Sequence, residues 1–82
     1  MMNNPNSDLL SDMQPGKKAR IIYLQEGNEI NRRLASLGFT PGVDIEIVQN
    51  FGRGPMIVTV RGTRIALGRG EAAKIFVERD EK

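Results

Sequence analysis

Residues 28–42 read N-E-I-N-R-R-L-A-S-L-G-F-T-P-G, and this stretch decides the fold because it is helical and then stops abruptly. Ile30, Leu34 and Leu37 recur at i, i+4 and i+7 and share one helix face, with Arg32 and Ser36 on the opposite side. Glu29 lies near that outer side and Arg33 flanks the apolar stripe. Asn28 can cap the start through its side-chain oxygen. Gly38 stands where a left-handed residue closes a helix, Phe39 follows it, and Pro41 lies beyond. The segment is the only clear helix of any length. Both flanks read as strand, so the helix is an insertion in a small β-protein.

Downstream, residues 43–50 alternate and form the second strand, with Val43, Ile45 and Ile47 to one side and Asp44 and Glu46 to the other. Val48 breaks the pattern and marks a bulge or a change of twist. After the loop N-F-G-R-G-P at 50–55, residues 56–60 form a third strand. Arg61-Gly62-Thr63-Arg64 makes a tight hairpin connection, and Ile65 and Leu67 point inward on a fourth strand with Ala66 opposite. Residues 68–73 have room for a single helical turn. Residues 74–78 give the last strand, Ile75 and Val77 on one side and Phe76 on the other. Upstream, residues 17–24 form the first strand with apolar residues on both faces. Ser7 and Asp8 are placed to cap a helical turn over 8–13, and Pro15-Gly16 is a turn. The expected fold is mainly β. It is a small SH3-like barrel of five strands, with the helix between strands 1 and 2 and a short helical turn before the last strand. The domain spans 9–79, with a polar tail at 1–8 and a charged tail at 80–82.

The chain has 82 residues, 39% of them hydrophobic, which suits one domain with a modest core. It has no Cys and no His, so the common zinc, haem and iron–sulfur ligand sets and thiol or imidazole catalysis are excluded. The net charge of +2 is too small to argue nucleic-acid binding alone. No apolar run is long enough for a transmembrane helix, and the start M-M-N-N-P-N-S has neither the basic nor the apolar region of a signal peptide.

Few residues point to chemistry. Asp44 and Glu46 share a strand face, and a solvated outer face accounts for them. Lys17, Lys18 and Arg20 with Arg64 could clamp an anion or nucleic acid, but stacking needs aromatics, and only Phe51 is placed on a loop tip. Tyr23, Phe39 and Phe76 sit in or beside apolar runs as core candidates. The phosphate-loop and dinucleotide spacings are absent, and Gly68 and Gly70 read as corners of a barrel rather than an anion site. No catalytic constellation appears, so no enzyme is expected.

The segment Arg33-Leu34-Ala35-Ser36-Leu37-Gly38-Phe39-Thr40-Pro41-Gly42 resembles the R-L-x-x-[LM]-G-[LIF]-x-P-G signature of the FeoA family. Leu10-x-x-Met13-x-Pro15-Gly16, Gly62-x-x-Ile65-Ala66-Leu67 and Glu71-Ala72-x-x-Ile75-x-Val77 agree in order and spacing, so the resemblance covers residues 9–78. It implies an SH3-like barrel and a cytoplasmic, non-enzymatic accessory protein of bacterial ferrous iron uptake. The implied partner is the permease FeoB with its cytosolic G-protein domain. It also implies kinship with the C-terminal module of DtxR-type repressors. On this reading Leu34, Leu37, Gly38, Pro41, Gly42, Gly62 and Ala66 are structural. Arg32, Arg33, Phe39, Phe51 and Arg53 combine the side-chain types of binding hot spots and form the candidate docking surface. A marginal core with a strand edge also makes self-association an expectation. No cofactor or metal is expected. An anaerobic Fe(II) titration should therefore show no stoichiometric binding at micromolar affinity, because the chain has only carboxylates to offer.

Overall fold

The computed structural model describes residues 7–25 and 28–79. Six strands form one antiparallel sheet in the order β1-β6-β2-β3-β4-β5: β1 (Ser7–Leu9), β2 (Lys18–Leu24), β3 (Asp44–Gln49), β4 (Met56–Val60), β5 (Thr63–Leu67) and β6 (Ile75–Arg79). A 3₁₀ turn covers Leu10–Asp12, helix α1 spans Asn28–Ser36 and the single turn α2 spans Arg69–Ala72. The inward residues of β2–β6, including Ile21, Ile47, Val58, Leu67, Ile75 and Val77, meet Leu10 and Leu34 in one buried cluster. The sheet is therefore rolled on itself around its own apolar face.

The sixth strand corrects the expected count of five. Ser7 and Asp8 do not belong to a tail or a helical cap; they pair with Glu78 and Val77 of β6. Three residues carry no readable alternation, so this strand comes from its partner's free edge rather than from local propensity. Arg79 of β6 forms an ion pair with Asp8 across that ladder. The expectations for residues 1–6, 26–27 and 80–82, and for the side chains of Asn28 and Ile30, fall outside the described residues.

Helix α1 closes by a Schellman motif. Phe39 N donates to Leu34 O at 2.9 Å and Gly38 N to Ala35 O at 3.0 Å, with Gly38 at φ +102°. The position after the glycine turns inward in this motif and meets the last turn of the helix. Phe39 is accordingly 0% exposed, beside Leu34 in the core. The turn 40–43 follows at once: Val43 N donates to Thr40 O, Pro41 holds the second position and Gly42 the third at φ +91°, the pattern of a type II turn. Gly42 N and Ile21 O, then Ile21 N and Val43 O, bond at 2.8 and 2.9 Å and seat this turn on β2.

Two bulges shape the sheet. Val48 is the extra residue of β3 against β4, where the alternation breaks in the sequence. Ile22 is the extra residue of β2 against β6, so Tyr23 pairs with Phe76 and turns outward. Tyr23 is 48% exposed and stacks on Phe76 with ring centroids 4.5 Å apart. Both rings were core candidates; the bulge reverses the side on which Tyr23 lies. The β4–β5 hairpin turns through Arg61 and Gly62, both at positive φ (52° and 79°), as a type I′ turn requires.

Gly38 has a second constraint besides its φ. A Cβ there would stand 3.1 Å from Cδ of Arg61. Gly38→Ala is expected to destabilise the fold by about 1–3 kcal/mol in urea denaturation, from the left-handed backbone and the displaced arginine stem.

Candidate partner-binding surface

The loop 50–55 joins β3 to β4 and carries Phe51 and Arg53, both exposed. Phe51 is 76% exposed. A loop with glycines at φ +83° (Gly52) and +72° (Gly54) has every freedom to collapse, yet it is fixed at its base. Asn50 donates through Nδ2 to Ser11 O at 3.1 Å and Met13 O at 2.7 Å. Its Oδ1 accepts from Gly52 N at 3.0 Å, an Asx turn, and from Nη2 of Arg69. Arg69 also donates to Gly54 O and Ser11 O, at 3.3 and 3.2 Å. Asn50 thus uses both its amide hydrogens and accepts twice. The clasp ties three segments distant in sequence: the 3₁₀ turn after β1, the 50–55 loop, and the start of α2.

A second tie reaches α1. Arg33 pairs with Glu71 of α2, whose other carboxylate oxygen accepts from Gly68 N at 3.0 Å. Arg33 and Glu71 belong to the two segments R-L-x-x-L-G and E-A-x-x-I-x-V, which are 38 residues apart in sequence and meet here. Arg33 therefore fixes the helix edge, while Arg32 stands exposed and away from the core. Through Glu71, α2 and Arg69, the edge of α1 and the Phe51 loop are mounted on one connected frame.

Phe39 leaves the candidate surface. The Schellman closure buries it completely, so its ring has nothing to offer a partner. Leu34 is buried and Leu37 partly buried against the core; Gly38, Pro41, Gly42 and Gly62 serve the turns already described, and Ala66 lies exposed on β5.

The basic residues do not merge into one patch. Cross-strand pairing places Lys18, Glu46, Thr59 and Arg64 in one row over four strands, with a carboxylate between the cations. In the next row Asp44 takes Arg20 at 3.0 Å. A shallow trough of about 380 Å³ runs along this face, lined by Lys18, Asp44, Glu46, Thr59 and Arg61 among others. Among the described residues no group of three or more carboxylates is placed to hold a metal ion, and no helix is long and apolar enough to cross a membrane.

Sequence reasoning missed Asn50, Arg69 and Glu71. Asn50 sat in a turn and Arg69 between glycines, where surface roles are the default; a polar residue ending a strand and followed by a glycine two places on was the available signal for the Asx turn.

The FeoA domain model matches residues 9–79. The chain belongs to the FeoA domain family. It is 33% identical over 69 residues to a Methanocaldococcus jannaschii protein named as an Fe(2+) transport protein A, covering 84% of this chain and 83% of that one. The crystal structure of Stenotrophomonas maltophilia FeoA, described as a procaryotic SH3 domain protein complexed with zinc, is 34% identical. It superposes with a TM-score of 0.76 over 84% of this chain and 87% of that one. A manganese-dependent transcriptional repressor shares the fold alone, at 18% identity and a TM-score of 0.86, over 95% of this chain and 44% of the repressor. The mainly β, SH3-like architecture read from the sequence is thus the family's own.

The clasp makes a quantitative claim on this FeoA-family chain. Asn50→Ala and Arg69→Ala are each expected to cost about 1–3 kcal/mol, because each removes the Arg69–Asn50 bond together with bonds to the backbone carbonyls of neighbouring segments. The double variant should cost less than the sum in a denaturation cycle, since the hydrogen bond from Arg69 to Asn50 is already lost in either single variant.

Proposed function

We propose that this protein is a cytoplasmic accessory of ferrous iron uptake that acts by contact with a FeoB-type permease on its cytosolic G-domain side. The family and its relatives support the iron-transport setting. The observation that carries the contact mode is Phe51, a large apolar side chain held out in water on a loop locked at its base. An aromatic that is already ordered loses little freedom on binding, which is why such residues dominate interface energetics. Arg53 on the same loop adds charge beside it, and Arg32 is exposed on α1. Arg33 contributes by holding α1 to α2. The protein is non-enzymatic on this reading and carries no cofactor of its own.

The test is binding to the permease's cytosolic domain by calorimetry. Phe51→Ala with Arg53→Glu is expected to weaken binding at least tenfold while the thermal midpoint stays within a few degrees of the parent. Unchanged affinity would remove Phe51 and Arg53 as the docking surface.

A further inference from the structure

The barrel has a slit, and it is not uniform. β1 and β5 are the two ends of the sheet order, and among the described residues β5 pairs only with β4. At one end the clasp bridges the gap, since Arg69 follows β5 and bonds to Ser11 after β1. Away from the clasp the inward face of β5 opens step by step: Leu67 is fully buried, Ile65 half-buried and Thr63 exposed. The inward residues of the neighbouring β4, by contrast, are all buried.

Apart from the charge of Arg64, the edge lacks the usual guards. Thr63–Leu67 contains no proline and no lysine, and its register with β4 runs unbroken from Val60↔Thr63 to Met56↔Leu67. Its alternate backbone groups on the far side have no sheet partner. Outward from this edge stands Arg64, exposed, and Arg61 sits at the adjoining hairpin turn. Neither has a carboxylate within ion-pair distance among the described residues.

We propose that the free edge of β5 is a docking site for an extended segment of a partner protein in which apolar and acidic residues alternate. Added as a strand, such a segment takes up the unpaired backbone groups of β5. Its inward side chains cover Ile65 and Thr63 at the open end of the slit. Its outward acidic side chain stands opposite Arg64 and extends the cross-strand row Lys18–Glu46–Thr59–Arg64 by one residue of the complementary sign. A second copy of β5 fits less well. An antiparallel pair centred on Ile65 brings the two Arg64 side chains to diagonal positions, and T-R-I-A-L has no acid to offset them. This site is separate from the Phe51 loop and does not depend on the permease.

The experiment is NMR titration of the full chain with a capped seven-residue peptide alternating valine and glutamate, against the same peptide with lysine for glutamate. Saturable shifts centred on the amides of 63–67, with slowed exchange at alternate β5 amides, are expected only for the glutamate peptide. Arg64→Glu should weaken that peptide at least fivefold and favour the lysine peptide, while exchange at the core amide of Val58 stays at the parent level, showing an intact fold. The proposal is overturned by shifts that avoid β5, by equal binding of the two peptides, or by indifference to Arg64→Glu. Concentration-dependent β5 shifts without peptide would give the edge to a second copy and overturn it too.

Discussion

The hydrogen bond from Phe39 N to Leu34 O is the contact on which the remaining architecture turns. It fixes the residue after Gly38 inside the barrel, and with it the direction in which the chain leaves α1. Once Phe39 is anchored, only three residues separate it from Val43, which bonds to Ile21 of β2. That sets β3 beside β2 in one register. A slip of one residue would carry Ile45 and Ile47 to the solvent side and Asp44 and Glu46 into the core, so the register is strongly specified. β4 and β5 then follow through the bulge at Val48 and the two-residue turn at Arg61-Gly62. The order of the sheet thus descends from one helix terminus.

Closure of the barrel is a separate matter. A ladder between β1 and β5 would satisfy both edges, but the described residues form none. The Asn50–Arg69 clasp does the work at one end with side-chain donors aimed at backbone carbonyls. Such a closure is directional and polar, and its stabilisation comes from acceptors that would otherwise lie half-buried without partners. It also makes the loop 50–55 part of the frame. A barrel closed at one end only has an unequal rim, rigid near Phe51 and open near Ile65.

Much of the core was legible in the residues. The alternation at Val43, Ile45 and Ile47, the break at Val48, and the hairpin at Arg61-Gly62 all state local rules that tertiary packing leaves intact. The misreadings share a cause: each depends on a partner strand or a motif rather than on its own neighbourhood. β1 exists because β6 offers an edge. Tyr23 faces outward because β6 has one residue fewer than β2 at that point. Phe39 reads in the sequence both as a core candidate and as part of the docking surface, and the inward turn of the Schellman geometry decides for the core. On the candidate surface, Phe51 and Arg53 were legible as loop residues. The supports beneath them were not, because a hydrogen bond between residues 11 and 69 leaves no trace in either segment.

The bulge at Ile22 has one more outcome. The chain contains a single tyrosine and no tryptophan. That tyrosine is stacked across the β2–β6 ladder, where the rings lie within 4° of parallel. All tyrosine absorption and emission of the protein therefore originates at one seam of the sheet, the seam that joins the first half of the barrel to its last strand. By turning one ring outward, the extra residue in β2 has equipped the molecule with a native optical label on the pairing of β2 with β6.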